Sequence, residues 1–257
     1  MTLWTDGQKF SARHYSILTH LARPDTDLVE ILKQSDRRSV LRIKARSPED
    51  SSLIVKGFPL RKIESKWKYK KYGLAEFENY QQAARRQIPA PKCHGYFEVR
   101  AFGFVRANGV IMEDLEHHQS LARLAETDAD KRMEIFLRAI PLLKLLFEKG
   151  VNHIDVSPQN LMQLPEGSDL RLIDWQYCAF VPPRQTAQLL LHAAHFLKYA
   201  NVPAASPDGR FWLETLWKET GAPMSQDQFV ANVGTLQNGP KLSSEMRLKL
   251  DLQFLSA

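Results

Sequence analysis

The sequence predicts an α+β protein in two lobes: a small β-rich N-terminal lobe with one helix over residues 1–115, and a helical C-terminal lobe over residues 116–257. Three observations carry that expectation. Up to Leu115 the chain runs in short β-branched and aromatic stretches separated by turn residues. Beyond His118 apolar residues recur at helical spacing. No repeat and no Gly/Ser- or Pro-rich linker divides the chain, so any division falls between lobes that pack together.

Ser39–Ala45 and Leu53–Phe58 read as strands flanking the turn chemistry of Arg46–Ser52, which is a hairpin signal. From Leu74 to Arg86 the residues Leu74, Phe77, Tyr80, Gln81 and Ala84 recur at helical spacing, and Pro89 and Pro91 end the segment. Gly95–Arg106 and Gly109–Leu115 read as strands joined by a turn at Ala107-Asn108-Gly109. Ser120–Leu124 and Asp130–Lys149 are expected helices, the second with an apolar face of Met133, Phe136, Leu137, Ile140, Leu143, Leu146 and Phe147, stopped by Gly150. Next come the segment His153–Met162, a turn at Pro165–Ser168 and a short strand Leu170–Asp174. From Thr186 onward the pattern is helical, broken near Pro203, Pro207, Gly221 and Gly239.

With 44% hydrophobic and 25% charged residues the composition excludes disordered and collagen-like chains. Two cysteines, Cys93 and Cys178, are too few for a disulfide framework and lack the clustered Cys/His spacing of structural zinc. There is no apolar run of signal-peptide character at the N-terminus and none of membrane-spanning length later, so a cytoplasmic setting is expected. The net charge of +6 concentrates between Lys56 and Lys71, where seven cations interleave with Trp67 and Tyr69 against Glu64 alone.

The chemistry sits in His153-Ile-Asp155-Val-Ser-Pro-Gln-Asn160, a loop between a helix and a strand, followed by Asp174 at a strand end. Phosphoryl transfer needs one carboxylate to orient the attacking hydroxyl and accept its proton, and an amide and a second carboxylate to hold Mg²⁺ against phosphates. Asp155, Asn160 and Asp174 supply that set. A pattern H-x-D-x-x-x-x-N arises by accident in about one chain in a hundred of this composition and length. The plainer reading makes His153 a core histidine and Asp155 and Asn160 turn formers.

On these residues the chain resembles the protein-kinase-like superfamily, and within it the lipopolysaccharide kinase group, the Kdo/WaaP-type and InaA-like bacterial proteins. The resemblance runs from about Val40 to Phe180. It implies the two-lobed protein-kinase-like fold, with ATP and Mg²⁺ in the cleft. In Leu53-Ile-Val-Lys56 it identifies the strand lysine that holds the nucleotide phosphates, and in Glu76 the helix glutamate that pairs with it. Glu78 competes for that role, but two positions along a helix face different directions. The segment Leu74–Ile88 with Pro89-Ala-Pro91 also resembles the group's helix and following turn. Glu113 and Leu115, in Ile111–Leu115, correspond to the interlobe hinge that contacts the nucleotide. Asp155 becomes the catalytic base, Asn160 and Asp174 the metal ligands, and His153 a structural residue of the loop.

Three departures shape the functional expectation. No G-x-G-x-x-G precedes Lys56, and Gln34–Val40 contains no glycine, which leaves Arg37, Arg38 and Ser39 as side-chain contacts to phosphate. The metal triplet is Asp174-Trp175-Gln176, and no Ala-Pro-Glu element follows. The altered triplet and the missing Ala-Pro-Glu element point away from peptide substrates and toward a small-molecule or glycolipid acceptor. The resemblance thus implies an ATP- and Mg²⁺-dependent kinase acting on a sugar hydroxyl, a heptose or Kdo of the lipopolysaccharide core. A kinase-like protein that binds nucleotide without turnover is the alternative suggested by the missing glycines, and a nucleic-acid-binding protein the one suggested by charge alone. Arg61–Tyr72 reads either as a solvated face, as a stacking surface for single strands, or as a contact to an anionic acceptor or the anionic inner membrane; no nucleic acid is expected.

Overall fold

In the computed structural model, residues 2–5, 12–19, 29–45, 51–164, 167 and 169–250 are described. Contacts divide the chain into two compact units, Met1–Arg85 with Pro91–Glu116, and Arg86–Ala90 with His117–Ala257. The second unit thus reclaims a short stretch from the span assigned to the first lobe by sequence. The reason is local: Leu172 N donates to the Pro89 carbonyl at 2.9 Å and Arg171 Nη1 to the Ala90 carbonyl at 3.2 Å. Of the expected turns, residues 46–50, Pro165, Glu166 and Ser168 lie outside the described residues.

The first unit is a six-stranded antiparallel sheet of β1 (Thr2–Thr5), β2 (Glu30–Gln34), β3 (Ser39–Ile43), β4 (Leu53–Pro59), β5 (Cys93–Ala101) and β6 (Phe104–Glu113), in the order β1-β5-β6-β4-β3-β2. Its helices are α1 (Ala12–Thr19), α2 (Ile63–Trp67) and α3 (Gly73–Arg85). Only α3 was expected. The five residues of α2 are too few for a 3.6-residue period to show in sequence. The hairpin of β3 and β4 forms with Val40 opposite Lys56. Alternation then sorts the side chains: Leu41, Ile43, Leu53 and Val55 join Ile17, Leu18, Phe97 and Ile111 in the core, and Lys56, one residue past Val55, falls on the opposite face.

The expected turn at Ala107-Asn108-Gly109 is wrong. β6 runs straight through it, and the hairpin turns at Phe102-Gly103, both with positive φ (51° and 78°). Asn108 looked like turn chemistry but serves the core: its Nδ2 donates to the Tyr69 carbonyl at 2.8 Å and its Oδ1 accepts from Gly73 N at 3.3 Å. Gly109 is there for close approach, since a Cβ would lie 2.2 Å from the Lys56 carbonyl oxygen and 2.7 Å from the Phe97 ring.

The second unit comprises β7 (Gln119–Ser120), α4 (Leu121–Thr127), α5 (Arg132–Leu137), α6 (Ile140–Lys149), β8 (Val151–His153), β9 (Leu161–Gln163), β10 (Leu170–Leu172), β11 (Cys178–Phe180), α7 (Thr186–Tyr199), α8 (Pro207–Thr220), α9 (Gln226–Asn238) and α10 (Ser244–Lys249). Small antiparallel sheets, β10-β9-β7 and β11-β8, frame the loop after β8. The helix expected over 130–149 is two helices, because Pro141 has no N–H to donate into a preceding turn and sits instead in the first turn of α6. Phe196 stacks on Trp212 at 4.8 Å, and Phe136 meets Phe196 edge-on. Gly150 closes α6 at φ 61°, where a Cβ would meet the Val181 carbonyl oxygen at 2.1 Å. This stop sets the chain into β8, two residues ahead of His153.

Candidate active site

In the first unit, β4 and α3 bring Lys56 and Glu76 together: Lys56 Nζ donates to Glu76 Oε1 at 2.7 Å, with side chains 7% and 0% exposed. Glu78, on the other side of α3, is exposed. A buried lysine–glutamate pair loses hydration on both partners and is weak evidence for stability. Other polar groups are also buried in this unit. Tyr96 Oη donates to Glu98 Oε1 at 2.8 Å, and Arg100 Nε donates to Glu98 Oε2 at 2.8 Å.

The turn between β2 and β3 lies where phosphate-cradling glycines were sought. Its amides are engaged internally: Arg37 N and Arg38 N donate to Ser35 Oγ at 3.3 and 3.1 Å, and Ser35 N donates to the Arg38 carbonyl at 2.9 Å. Arg37 is exposed, while Ser39 is buried. At the end of β6, Glu113 is engaged with Lys92, donating its N–H to the Lys92 carbonyl at 2.8 Å and accepting Lys92 N at Oε2 at 2.9 Å. Leu115 follows, half-buried. Between them Asp114, which the motif did not single out, accepts from Arg42 Nε at 2.7 Å, and Arg42 also donates to Glu30 at 3.1 Å. Burial pushes the Asp114 carboxyl up despite that guanidinium.

In the second unit, the loop after β8 gathers the motif. His153 is fully buried, edge-to-face on Trp175 at 5.0 Å, and burial lowers its pKa to about 4, so it is a neutral ring. Its Nδ1 accepts the backbone N–H of Asp155 at 3.3 Å. That makes His153 a brace for the loop. Asn160 Nδ2 donates to the Asp155 carbonyl at 2.9 Å, and Ile173 N donates to the Asn160 carbonyl at 3.0 Å, which ties Asn160 to the residue preceding Asp174. Asp174 has φ 65°, a strained left-handed conformation for a non-glycine residue. Trp175, in the triplet's second position, is fully buried and donates Nε1–H to the Leu172 carbonyl at 2.7 Å.

Motif reading missed two residues of this neighbourhood. His195, on α7, pairs its Nε2 with Asp155 Oδ1 at 2.9 Å, and Arg247, on α10, pairs with His195 Nδ1 at 2.9 Å. Their separations from Asp155, 40 residues for His195, belong to no local pattern, so only the fold reveals them. The bond from His195 is the main cause that holds the Asp155 carboxyl below its ordinary range, against burial.

Among the described residues no group of three or more His, Cys, Asp and Glu could hold a metal by itself. Asn160 and Asp174, which the family resemblance assigns to Mg²⁺, offer an amide and a carboxylate, oxygen ligands of the type that Mg²⁺ takes. Asn160 uses its NH₂ on the Asp155 carbonyl, which leaves the amide oxygen as the hard ligand, and Mg²⁺ completes its shell with waters and phosphate oxygens where the protein offers one or two groups.

The model of the Lipopolysaccharide kinase (Kdo/WaaP) family matches residues 60–188. Among solved structures 1344 chains match. One of them, "WaaP in complex with acyl carrier protein", aligns with a TM-score of 0.59 at 13% identity, covering 98% of this chain and 100% of that one. The two share a fold. A search of the curated proteins finds no match.

Proposed function

Because the chain belongs to the lipopolysaccharide kinase (Kdo/WaaP) family, we propose that it transfers the γ-phosphoryl group of ATP to a sugar hydroxyl of the lipopolysaccharide core, a heptose or Kdo. The observation that carries this reading is the buried Lys56–Glu76 pair. Such a pair adds little to stability over a packed apolar pair, so its presence calls for a use, and holding a cation ready for nucleotide phosphates is that use. Lys56 binds the α- and β-phosphates, Glu76 orients it, and Glu113 and Leu115 offer main-chain groups to the base.

Asn160 and Asp174 hold Mg²⁺, which when bound neutralises charge on the phosphates. Asp155 orients the acceptor hydroxyl. As the acceptor oxygen bonds to the γ-phosphorus and the bond to ADP breaks, the hydroxyl proton passes to the Asp155 carboxylate. With the amides of Ser35, Arg37 and Arg38 already engaged, Arg37 and Arg38 take the phosphate-binding role by side chain.

The acceptor class suits the basic stretch. Ile63 and Trp67, four residues apart on α2, are 68% and 78% exposed, among the cations Arg61, Lys62, Lys66, Lys68, Lys70 and Lys71. Apolar side chains flanked by cations fit the headgroup region of an anionic membrane, the inner leaflet that would present a glycolipid acceptor. No helix among the described residues is long and apolar enough to cross a membrane. The role proposed for α2, on its exposed Ile63 and Trp67 among cations, is peripheral contact with the membrane surface.

Calorimetry with ATP tests the nucleotide half of the reading. ATP binds the wild type more tightly with Mg²⁺ than without, and Asp174→Ala loses the Mg²⁺-dependent part while Lys56→Ala weakens both. Binding that ignores Mg²⁺ and both substitutions contradicts the assignment. The glycine-free turn favours a second reading, nucleotide binding without turnover. Normal ATP–Mg²⁺ binding with no phosphate transfer to any core oligosaccharide would select it.

A further inference from the structure

Asp155 does not stand alone in its unit. His195 Nε2 lies 2.9 Å from Asp155 Oδ1, and its Nδ1 lies 2.9 Å from Arg247 Nη2. The two contacts determine the ring's tautomer. A guanidinium has donors only, so at Nδ1 the imidazole must accept, and the ring proton must sit on Nε2, directed at the carboxylate. The ring is further fixed against Tyr199, with centroids 4.5 Å apart.

Arg247 is itself anchored. It donates to the carbonyl of Ile154, the residue preceding Asp155, and Asn152 Nδ2 donates to the carbonyls of Arg247 and Leu248 at 2.9 and 3.3 Å. Ser243 caps the start of α10, its hydroxyl accepting Met246 N at 3.2 Å. α10 is thereby tied to Asn152 and Ile154, where the motif loop begins. A cavity of about 220 Å³ borders the same groups, lined among others by His195, Lys198, Tyr199, Lys241 and Arg247.

We propose that Arg247 and His195 form a positioning relay for Asp155: the guanidinium selects the Nε2–H tautomer of His195, and the imidazole holds Asp155 Oδ1 so that Oδ2 is the oxygen that receives the acceptor's proton. The relay itself gains and loses no proton, because the hydroxyl proton ends on Oδ2 and His195 keeps the proton on Nε2. Burial, Arg247 and Lys198 all disfavour a charged ring, while Asp155 favours one; the balance keeps His195 neutral. The relay's catalytic use rests on Asp155 being the base, as proposed above.

Long-range ¹H–¹⁵N spectra of protein labelled at histidine read the tautomer without any acceptor. The wild type shows His195 with a protonated Nε2 and a bare Nδ1. Arg247→Lys keeps that signature, whereas Arg247→Ala loses it to a mixture of ring forms. The kinetic arm uses ATP–Mg²⁺ and a heptose-containing core oligosaccharide. His195→Ala lowers kcat about 10–100-fold, the scale expected when a reacting group loses its orientation, with the KM for ATP within about twofold. His195→Gln, whose amide N–H can reach Asp155, restores most of the rate, which a structural defect would not allow.

A wild-type ring protonated at Nδ1, or a tautomer unchanged in Arg247→Ala, overturns the relay. So does a His195→Ala enzyme with wild-type kcat, or a Gln variant no better than Ala. If His195→Ala fails to fold, the Gln variant and the Arg247 spectra still decide. Failure of the base assignment is a separate result: Asp155→Asn at the wild-type rate removes the relay's catalytic use, while the Arg247 spectra continue to report whether the guanidinium sets the ring.

Discussion

Lys56 and Glu76 form a buried ion pair, so removing either takes a desolvated partner from the other. This gives a test of whether they act as a unit on the nucleotide. Lys56→Ala and Glu76→Ala each lower kcat/KM for ATP by roughly 10²-fold or more, and the double variant is little worse than either single one, because groups that work together are not additive. Losses that multiply in the double variant would mean that the two act separately. Glu78, exposed on α3, is the internal control, and Glu78→Ala leaves the rate near wild type. At this scale the sequence spoke clearly where chemistry and local periodicity coincide. Helix geometry lets only one of Glu76 and Glu78 point inward, and the resemblance to the family picked Glu76. The sequence was silent about His195 and Arg247, because a hydrogen bond between α7 or α10 and the loop after β8 leaves no trace in spacing.

Elements show where legibility ends for a different reason. The hairpin of β3 and β4 and the helix α3 follow from alternation and helical period, and Gly150 was readable as a stop. Ala107-Asn108-Gly109 misled because asparagine and glycine have two uses, and tertiary contacts chose the less common one: Asn108 binds the Tyr69 carbonyl and Gly109 admits the Lys56 carbonyl. The short α2 was hidden in a stretch read as cations interleaved with aromatics. Its exposed Ile63 and Trp67 sharpen the expectation for that stretch. Replacing Lys62, Lys66, Lys70 and Lys71 by glutamine should weaken sedimentation with anionic vesicles several-fold in low salt, and Trp67→Ala should weaken it further. The charge-dependent part should fade as salt shortens the Debye length to about 3 Å near 1 M. Equal vesicle binding by wild type and variant in low salt, with both still folded by circular dichroism, would return the stretch to an ordinary solvated face.

Across the whole molecule, neutral histidines tie stability to pH. Burial lowers the pKa of His153 to about 4, and lowers those of His192 and His195 as well. The unfolded chain, with histidine near 6.5, then binds more protons than the folded one between those values, so stability rises with pH across that window and is lost on acidification. His153 alone accounts for up to about 3 kcal/mol of this change. Urea unfolding at pH 7.5 and pH 5 should show the loss, and a stability flat between them would mean that these rings are solvated. The proposed transfer depends on Lys56 and Glu76 for the nucleotide and on Asp155, Asn160 and Asp174 for the acceptor and the metal. Its most direct test is single-turnover transfer of the γ-phosphate of labelled ATP, with Mg²⁺, to heptose- or Kdo-containing core oligosaccharides by the wild type and Asp155→Asn. The wild type should label the sugar, and the variant should lose roughly 10²–10⁴-fold in rate while binding ATP within about twofold of wild type. Transfer by Asp155→Asn at the wild-type rate, or no transfer by a wild type that binds ATP and Mg²⁺, would contradict it.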